Sequence, residues 1–556
     1  MNHQQQRSLS PFYIASAVFT LLMLFSWYRI SRLTGGMFCY SLDDAFIHMA
    51  VAKNFGLHGV WGITPDAFGS ASSSPLYTVL LALLFRIGVH SYLVALFINV
   101  GAAFLLLFSV NRLLEKYNMP SRARTIVLLL LIFLLPLQVL VITGMEHVLH
   151  LWFALLFLQS VAELAQATKA TTRQILACSA FAALMVSARF EGLFMLGTAC
   201  LLLCYYRKWR PAVIIGVIAI APLCLFGLLS VLHGGAILPN SVLLKGSGSA
   251  GLGQRLQEIL VYRLMYGNNT MMNLFQKEKL FAGIPSISGT AVVRLIVIVP
   301  LLVLLAKTKE DDKRNGGAII MGVIFSISCI LHLGLAAVGW MFRYEAYLIG
   351  LALIISSILL YQQWPVYKAT IGQFGWPRRI ILLALVYFVC SPLIVRTLAG
   401  YRFMHRACRN IYEQQYQMGL FLNKYYPGVT VAANDVGAVS FLSGSRIIDI
   451  WGLGNNAIAK SRLKGDYSAA WLLQFLQQEH TKIAVIYNDW YEPALYGKWT
   501  EAGSWTISDN VICGGDKVTF YALDPKDAPL LQQRLAEFKK ELPQTVLAQN
   551  TLAHDQ

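Results

Sequence analysis

Long apolar runs separated by short charged connectors dominate residues 1–396. Such runs occupy 11–31, 91–111, 125–142, 145–163, 174–188, 190–206, 211–232, 291–307, 316–337, 343–360 and 380–396. Each is close to the ~17–25 residues that a helix needs to cross a bilayer. Only helices and closed barrels satisfy their backbone polar groups in lipid, so about eleven spanning helices are predicted. Arg189 and Glu191 interrupt the 174–206 stretch, which reads as two helices joined by a tight external turn. The alternative there is one long buried helix containing an ion pair. Beyond 396 the pattern changes. SRIIDIWG, TKIAVIYND and KVTFYALD read as short strands, 466–478 reads as a helix, and the stretch from about 530 reads as a helix followed by a fraying polar end. The segment 397–556 is long enough for a small α/β domain with its own core.

Charge orients these elements. Basic residues cluster at Arg112–Lys116–Arg122–Arg124, Lys169–Arg173, Arg207–Lys208–Arg210, Lys307–Lys309–Lys313–Arg314 and Arg378–Arg379. With eleven helices and a cytoplasmic N-terminus carrying Arg7, every cluster falls on the cytoplasmic side. Counting PLYTVLLALLF at 75–85 as a further span would break that agreement, so 75–88 is expected to lie on the outer face as an interfacial or re-entrant helix. Loops 32–90 and 234–290 and the tail 397–556 then project outward. A 56% hydrophobic and 13% charged composition makes lipid the main solvent, and the net charge of +17 needs no nucleic acid to explain it. The first apolar run lacks a small-x-small cleavage site and reads as a retained helix. Nine cysteines show no metal-like spacing. Six fall in predicted helices, Cys39, Cys408 and Cys513 lie outside, and one disulfide between the tail cysteines is left open.

The chemistry-bearing residues gather on the predicted outer side. Asp43 and Asp44 stand just before a predicted helix at 45–54, where a helix N-terminus favours a carboxylate and suits a general base or a cation site. The competing reading is helix capping, which needs only one acid. His48 lies one turn beyond Asp44 and is expected to line the same site. Serines in FGSASSSPLYT are weaker candidates for a polar headgroup. Glu146, His147 and His150 open the 145–163 helix, and Arg189 with Glu191 forms either a buried ion pair or a ligand contact. Lys245 and Arg343, the latter beside Tyr344 and Glu345, suit a lipid phosphate held at the outer leaflet. In the tail, AANDVGAVSFLSGSRIIDIWGLGNNAI reads as strand, Gly turn, strand, turn, with Asn434, Asp435 and Asp449 at strand ends. Structural turn acids are the competing account. No Walker-type loop or dinucleotide fingerprint is present.

Six segments carry a family resemblance: SLDDAFIHMAVAKN, SSSPLYTVLLALLF, TGMEHVLHLWFA, ARFEGL, ILPNSVLLKG and NDVGAVSFLSGSRIIDIWGL. In this order they resemble bacterial GT-C membrane glycosyltransferases that use polyprenyl-phosphate sugars, nearest to the arabinofuranosyltransferase branch. The resemblance implies a polytopic α-helical membrane protein of GT-C type, with about eleven transmembrane helices (1–396) and a C-terminal periplasmic α/β domain (397–556). It implies a bacterial inner-membrane location with the N-terminus cytoplasmic and the active site periplasmic. The implied reaction is inverting transfer of a sugar, D-arabinofuranose, from a polyprenyl phosphate to a periplasmic acceptor hydroxyl on a glycan, glycolipid or protein.

The resemblance assigns Asp43 and Asp44 to catalysis, one of them as base. Arg189, Lys245 and Arg343 are assigned to the donor phosphate. His48, Glu146, Glu191, Tyr344, Glu345, Asn434, Asp435 and Asp449 are expected to line the substrate. No cofactor is required, a divalent metal on the acids is left open, and a monomer in membrane lipid is expected. The chain departs from relatives at Arg189–Phe190–Glu191, where they often carry Arg-Pro-Glu, and at Ser70–Ala71–Ser72, where they carry a Gly-Tyr-Thr type turn. Both positions bear on sugar specificity. The alternatives are a GT-C transferase of a hexose or aminoarabinose, an O-antigen ligase or polymerase, and a transporter of lipid-linked sugar. The transporter would call for inverted repeats and mid-helix charges, which are not seen. The ligase would call for a large outer loop between late helices.

Overall fold

A computed structural model of the chain describes residues 3–245, 280–306 and 313–550. Every apolar run predicted to span overlaps a helix. Among the described residues, seven helices are long and apolar enough to cross a membrane: Leu9–Leu33, Val94–Lys116, His147–Gln166, Trp209–Leu232, Gly316–Leu335, Ala346–Gly372 and Trp376–Tyr425. Thr172–Ala188, Gly192–Tyr205 and Thr290–Ala306 are shorter apolar helices, and so is Pro75–Arg86. The chain divides into two compact units. The first comprises Met1–Phe25, Leu96–Leu223 and Ser247–Arg402, and the second Ser26–Ala95, Cys224–Gly246 and Phe403–Gln556.

The first unit is a helix bundle. His147–Gln166 packs on Thr172–Ala188, Lys313–Leu335 and Ala346–Gly372, and Lys313–Leu335 also meets Leu280–Ala306 and Gly192–Tyr205. Two helices joined by a turn at Arg189–Glu191 replace the single long helix that was the alternative. Two expected spans differ in detail. The 125–142 run is broken into Ser121–Leu134 and Leu137–Ile142, because Pro136 brings no amide hydrogen to the ladder. The run expected from 343 begins at Ala346 and continues to Gly372, which leaves Arg343–Glu345 in the turn that precedes it.

The last apolar run extends far beyond 396. Its helix, Trp376–Ile411, passes through a π-turn at Tyr412–Tyr416 and ends with Gln417–Tyr425. From Phe403 onward it belongs to the second unit.

That unit is built on a six-stranded sheet of order β2-β1-β3-β5-β4-β6. The strands are β1 (Thr430–Ala433), β2 (Arg446–Asp449), β3 (Ile483–Ile486), β4 (Thr500–Thr506), β5 (Lys517–Ala522) and β6 (Leu547–Asn550). β1 pairs in parallel with both β2 and β3, while β5, β4 and β6 continue antiparallel. The strands read from sequence are β1, β2, β3 and β5. Between β1 and β2 the expected Gly turn is instead the helix Gly437–Ser443, as a parallel pair requires a crossover. Within the polar end expected to fray, Leu547–Asn550 forms β6 against β4, and 551–556 lie outside the described residues.

Helices Asp44–His58 and Pro75–Arg86 of the first outer loop pack together, and Asp44–His58 also packs on Gly437–Ser443. Phe441 fills that seam, with ring centroids 6.0 Å from Phe46 and 6.1 Å from Phe85. All nine cysteines are free thiols, so the disulfide left open between Cys408 and Cys513 does not form. Cys513 instead donates to Gln415 Oε1 at 3.3 Å.

Candidate active site

Asp43 is the N-cap position of the Asp44–His58 helix but makes no side-chain cap there. Its carboxylate turns to the tail, where Oδ2 accepts from Gly437 N–H at 2.7 Å and Oδ1 from Ala438 N–H at 2.8 Å. The acid thus fixes the start of a helix almost 400 residues away in sequence. Hydrogen bonds of this kind contribute about 0.5–1.5 kcal/mol each. Gly437 is required for the approach, since a Cβ there would lie 2.1 Å from Asp43 O and 2.6 Å from its carboxylate. Burial raises the Asp43 carboxyl most, the charge of Asp435 adds to it, the two amides oppose it, and Asp44 raises it further. The balance leaves Asp43 at about 8. Asp44, the adjacent half-buried acid, is the first residue of its helix.

Asp435 is held from two directions. Its Oδ2 accepts from Gln415 Nε2 and from the Tyr487 hydroxyl, both at 2.8 Å. The same hydroxyl also lies 2.5 Å from Gln414 Oε1, so its single proton is shared between two acceptors, and the Tyr487 backbone N–H reaches Asn434 Oδ1 at 3.0 Å. The π-turn explains how the consecutive residues Gln414 and Gln415 join one network. An extra residue per turn rotates both toward the same side, and such turns are frequent at functional sites.

Other predicted residues of this unit have structural partners. His48 Nδ1 lies 3.1 Å from Ser72 Oγ and 3.3 Å from Thr78 Oγ1, so the serine-rich turn is folded around it. Asp449 accepts backbone N–H groups of Trp451, Gly452 and Gly454 at 2.7–3.0 Å. Burial raises its carboxyl to about 6 against the pull of those amides. Lys245 ends the helix Asn240–Lys245, and its side chain lies outside the described ones.

In the helical unit, Arg189 donates from Nη1 to Glu146 at 2.6 Å and from Nε and Nη2 to both oxygens of Glu191 at 3.1 and 2.6 Å. Its guanidinium and that of Arg343 lie 5.5 and 4.9 Å from the centre of the Tyr344 ring. Arg343 Nη2 donates to the Tyr344 hydroxyl at 3.2 Å. The turn before Arg343 is strained: Gly339, Trp340, Met341 and Phe342 all have positive φ, the last three at 45°, 54° and 63°. Each non-glycine there costs about 1–2 kcal/mol. Glu345 holds the turn by accepting Gly339 N–H at 2.8 Å and pairing with Arg396 at 3.1 Å, while Arg396 Nη2 bonds Phe342 O. Both side chains of that pair are wholly buried.

The predicted residues therefore form two constellations, one in each unit. Asp43, Asp44, Asn434 and Asp435 gather in the second, and Glu146, Arg189, Glu191, Arg343, Tyr344 and Glu345 in the first. Sequence reading missed Gly437, Gln415, Tyr487 and Arg396. The available signals were the glycine after the Asn434–Asp435 pair and a tyrosine immediately after β3. Among the described residues, no three His, Cys, Asp or Glu side chains gather as metal donors.

A family model described as "Domain of unknown function (DUF8728)" matches residues 409–521. Comparison with curated proteins finds no match. Among solved structures, the chain is similar to ArnT from Cupriavidus metallidurans bound to undecaprenyl phosphate. The TM-score is 0.52 at 12% identity, over 92% of this chain and 98% of that one. It is also similar to the apo oligosaccharyltransferase of Archaeoglobus fulgidus, with TM-score 0.51 at 12% identity over 94% and 75% of the two chains. These likenesses show the fold: a GT-C membrane architecture with a C-terminal domain. Arabinofuranosyltransferase AftD from Mycobacteria aligns over 93% of this chain and 40% of its own at 13% identity. Its TM-score of 0.43 carries no argument about the branch.

Proposed function

We propose that this chain is an inverting glycosyltransferase of the bacterial inner membrane. It moves a sugar from a polyprenyl phosphate to an acceptor hydroxyl on the periplasmic side, and the motif resemblance makes that sugar D-arabinofuranose. The observation that carries the reading is the state of Asp43. A carboxyl at about 8, oriented by two amides and facing a second acid, has the proton affinity of a general base working near neutral pH. Each of its oxygens keeps a further lone pair for an acceptor hydroxyl.

Asp43 takes the hydroxyl proton as the acceptor oxygen attacks the anomeric carbon. The bond from that carbon to the phosphate oxygen breaks on the opposite face, and polyprenyl phosphate leaves with the electron pair. Asp44 and Asp435 keep the local charge negative and so sustain the basicity of Asp43. Arg343 and Lys245 are the residues that the motif resemblance assigns to the donor phosphate. Arg189, which gives three of its N–H groups to Glu146 and Glu191, organises the cationic side more than it binds. ArnT, similar in fold, is described as bound to undecaprenyl phosphate, which supports a donor of this class.

The test is transfer by the full chain in nanodiscs, offered polyprenyl-phosphate arabinofuranose and matched hexose and aminoarabinose donors. Turnover with arabinofuranose alone supports the whole reading. Turnover with another sugar keeps the reaction and changes the branch. No turnover and no binding of any such donor by folded protein overturns it.

A further inference from the structure

The C-terminal ends of the parallel strands β1, β2 and β3 lie along one edge of the sheet. After β1 the chain crosses to β2 on one side, and later returns with β3 on the other side of β1. Such a reversal of strand order is the position at whose carboxyl ends α/β sheets bind ligands. Asn434 and Asp435 follow β1, Trp451 follows β2, and Tyr487, Trp490 and Tyr491 follow β3.

Among the described residues, three buried polar groups around this edge have no hydrogen-bond partner: Asn434 Nδ2, the Tyr491 hydroxyl and Arg462 Nε. Asn434 as a whole is only 6% exposed, and buried amides are rarely left unpaired. The Tyr491 phenol sits within electrostatic reach of Tyr467, Asp449, Arg462 and Asp435. Beside them stand half-exposed aromatic rings. Trp451 and Trp490 have centroids 5.1 Å apart, and Arg462 lies 4.3 Å from the Trp451 ring and 4.1 Å from that of Tyr467. Trp490 also meets Tyr487 at 5.3 Å, and Tyr487 donates to Asp435, whose charge bears on Asp43.

We propose that this edge is the acceptor site and that it takes a neutral oligosaccharide, with Trp451 and Trp490 supplying ring faces and Asn434, Tyr491 and Arg462 the hydrogen bonds. A sugar ring matches both parts: its C–H face lies on an aromatic ring and its hydroxyls satisfy planar donors. Asp435 and Asp449 at the same edge oppose an anionic ligand. The proposal rests on the glycosyltransferase reading for the meaning of "acceptor", and it narrows that acceptor to a glycan.

The experiment measures binding of three probes to the full chain in nanodiscs by calorimetry: an α-1,5-linked arabinofuranose trisaccharide, maltotriose and chitotriose. Hydrolysis of polyprenyl-phosphate sugar by the wild type is followed separately. At least one probe is expected to bind. Trp490→Leu should weaken that binding about tenfold, the size of one lost ring contact, while Trp490→Phe with an unchanged melting temperature stays closer to wild type. Asn434→Leu should weaken it as well. If no probe binds a wild type that hydrolyses donor, the acceptor site is refuted and the enzyme reading stands. If a probe binds equally to wild type, Trp490→Leu and Asn434→Leu, the site lies elsewhere. If the wild type neither binds a probe nor hydrolyses donor, both readings fall.

Discussion

In the helical unit Glu146, Glu191 and Glu345 each meet a guanidinium, whereas Asp43 in the other unit meets two backbone amides and the field of Asp435. An arginine partner carries a full charge and holds a carboxylate through charge-assisted hydrogen bonds. Amides carry only partial charge, so burial and a like charge prevail and the acid holds its proton to about 8. The same side-chain chemistry thus yields scaffolding in one unit and a titratable group in the other. The difference lies in what neutralises the acid, and each side of it can be broken separately.

The largest effect is expected at Asp43. Asp43→Asn should lower transfer by roughly 10²–10⁴-fold, the usual worth of a general base, measured against a melting temperature that shows the protein still folded. Next comes Gly437→Ala. Alanine is the better helix residue by about 1 kcal/mol, yet its Cβ would collide with Asp43. A displaced base should cost about 10²-fold in kcat with Asp43 itself intact, a result that propensity alone would not predict.

On the ion-paired side, Glu345→Leu or Arg396→Leu should each destabilise by about 3–5 kcal/mol, and the double variant by much less. Thermal melts in nanodiscs give that comparison. Relaxation of the Trp340–Phe342 turn in either single variant should also raise the KM for donor through Arg343. The smallest effect is a shift in pH response. Asp435→Asn removes a like charge that raises Asp43 and should move the pH–rate profile to lower pH. Stability follows the same proton. Because the folded-state value of about 8 lies above the ordinary 3.8, the bound proton contributes stability that is fully present below 3.8 and lost as pH rises through 8. The melting temperature should therefore fall between about pH 4 and 8 and level off above that, and in Asp435→Asn it should level off at a lower pH.

Hydropathy marked the helices well because lipid imposes a long apolar stretch on every crossing. The breaks were less legible. Pro136 was visible but sits inside an apolar run, and the Gly339–Phe342 turn has no marker beyond its one glycine. Asp43 and Asp44 stood out because paired acids beside a membrane span are costly without a role. That Asp43 caps Gly437–Ser443 rather than its own helix could not be read, since it depends on a contact across some 390 residues. Tyr487 and Gln415 were hidden for a related reason: the first looks like a strand residue, and the second acquires its direction from a π-turn that no local pattern announces.

The most direct measurement is the pH dependence of kcat for sugar transfer from a polyprenyl-phosphate donor, in wild type and Asp435→Asn, with Asp43→Asn as the reference. The account predicts a rate that climbs with pH through about 8 in the wild type, climbs at lower pH in Asp435→Asn, and is absent in Asp43→Asn. A profile identical in wild type and Asp435→Asn, or appreciable transfer by Asp43→Asn, would contradict Asp43 as the base.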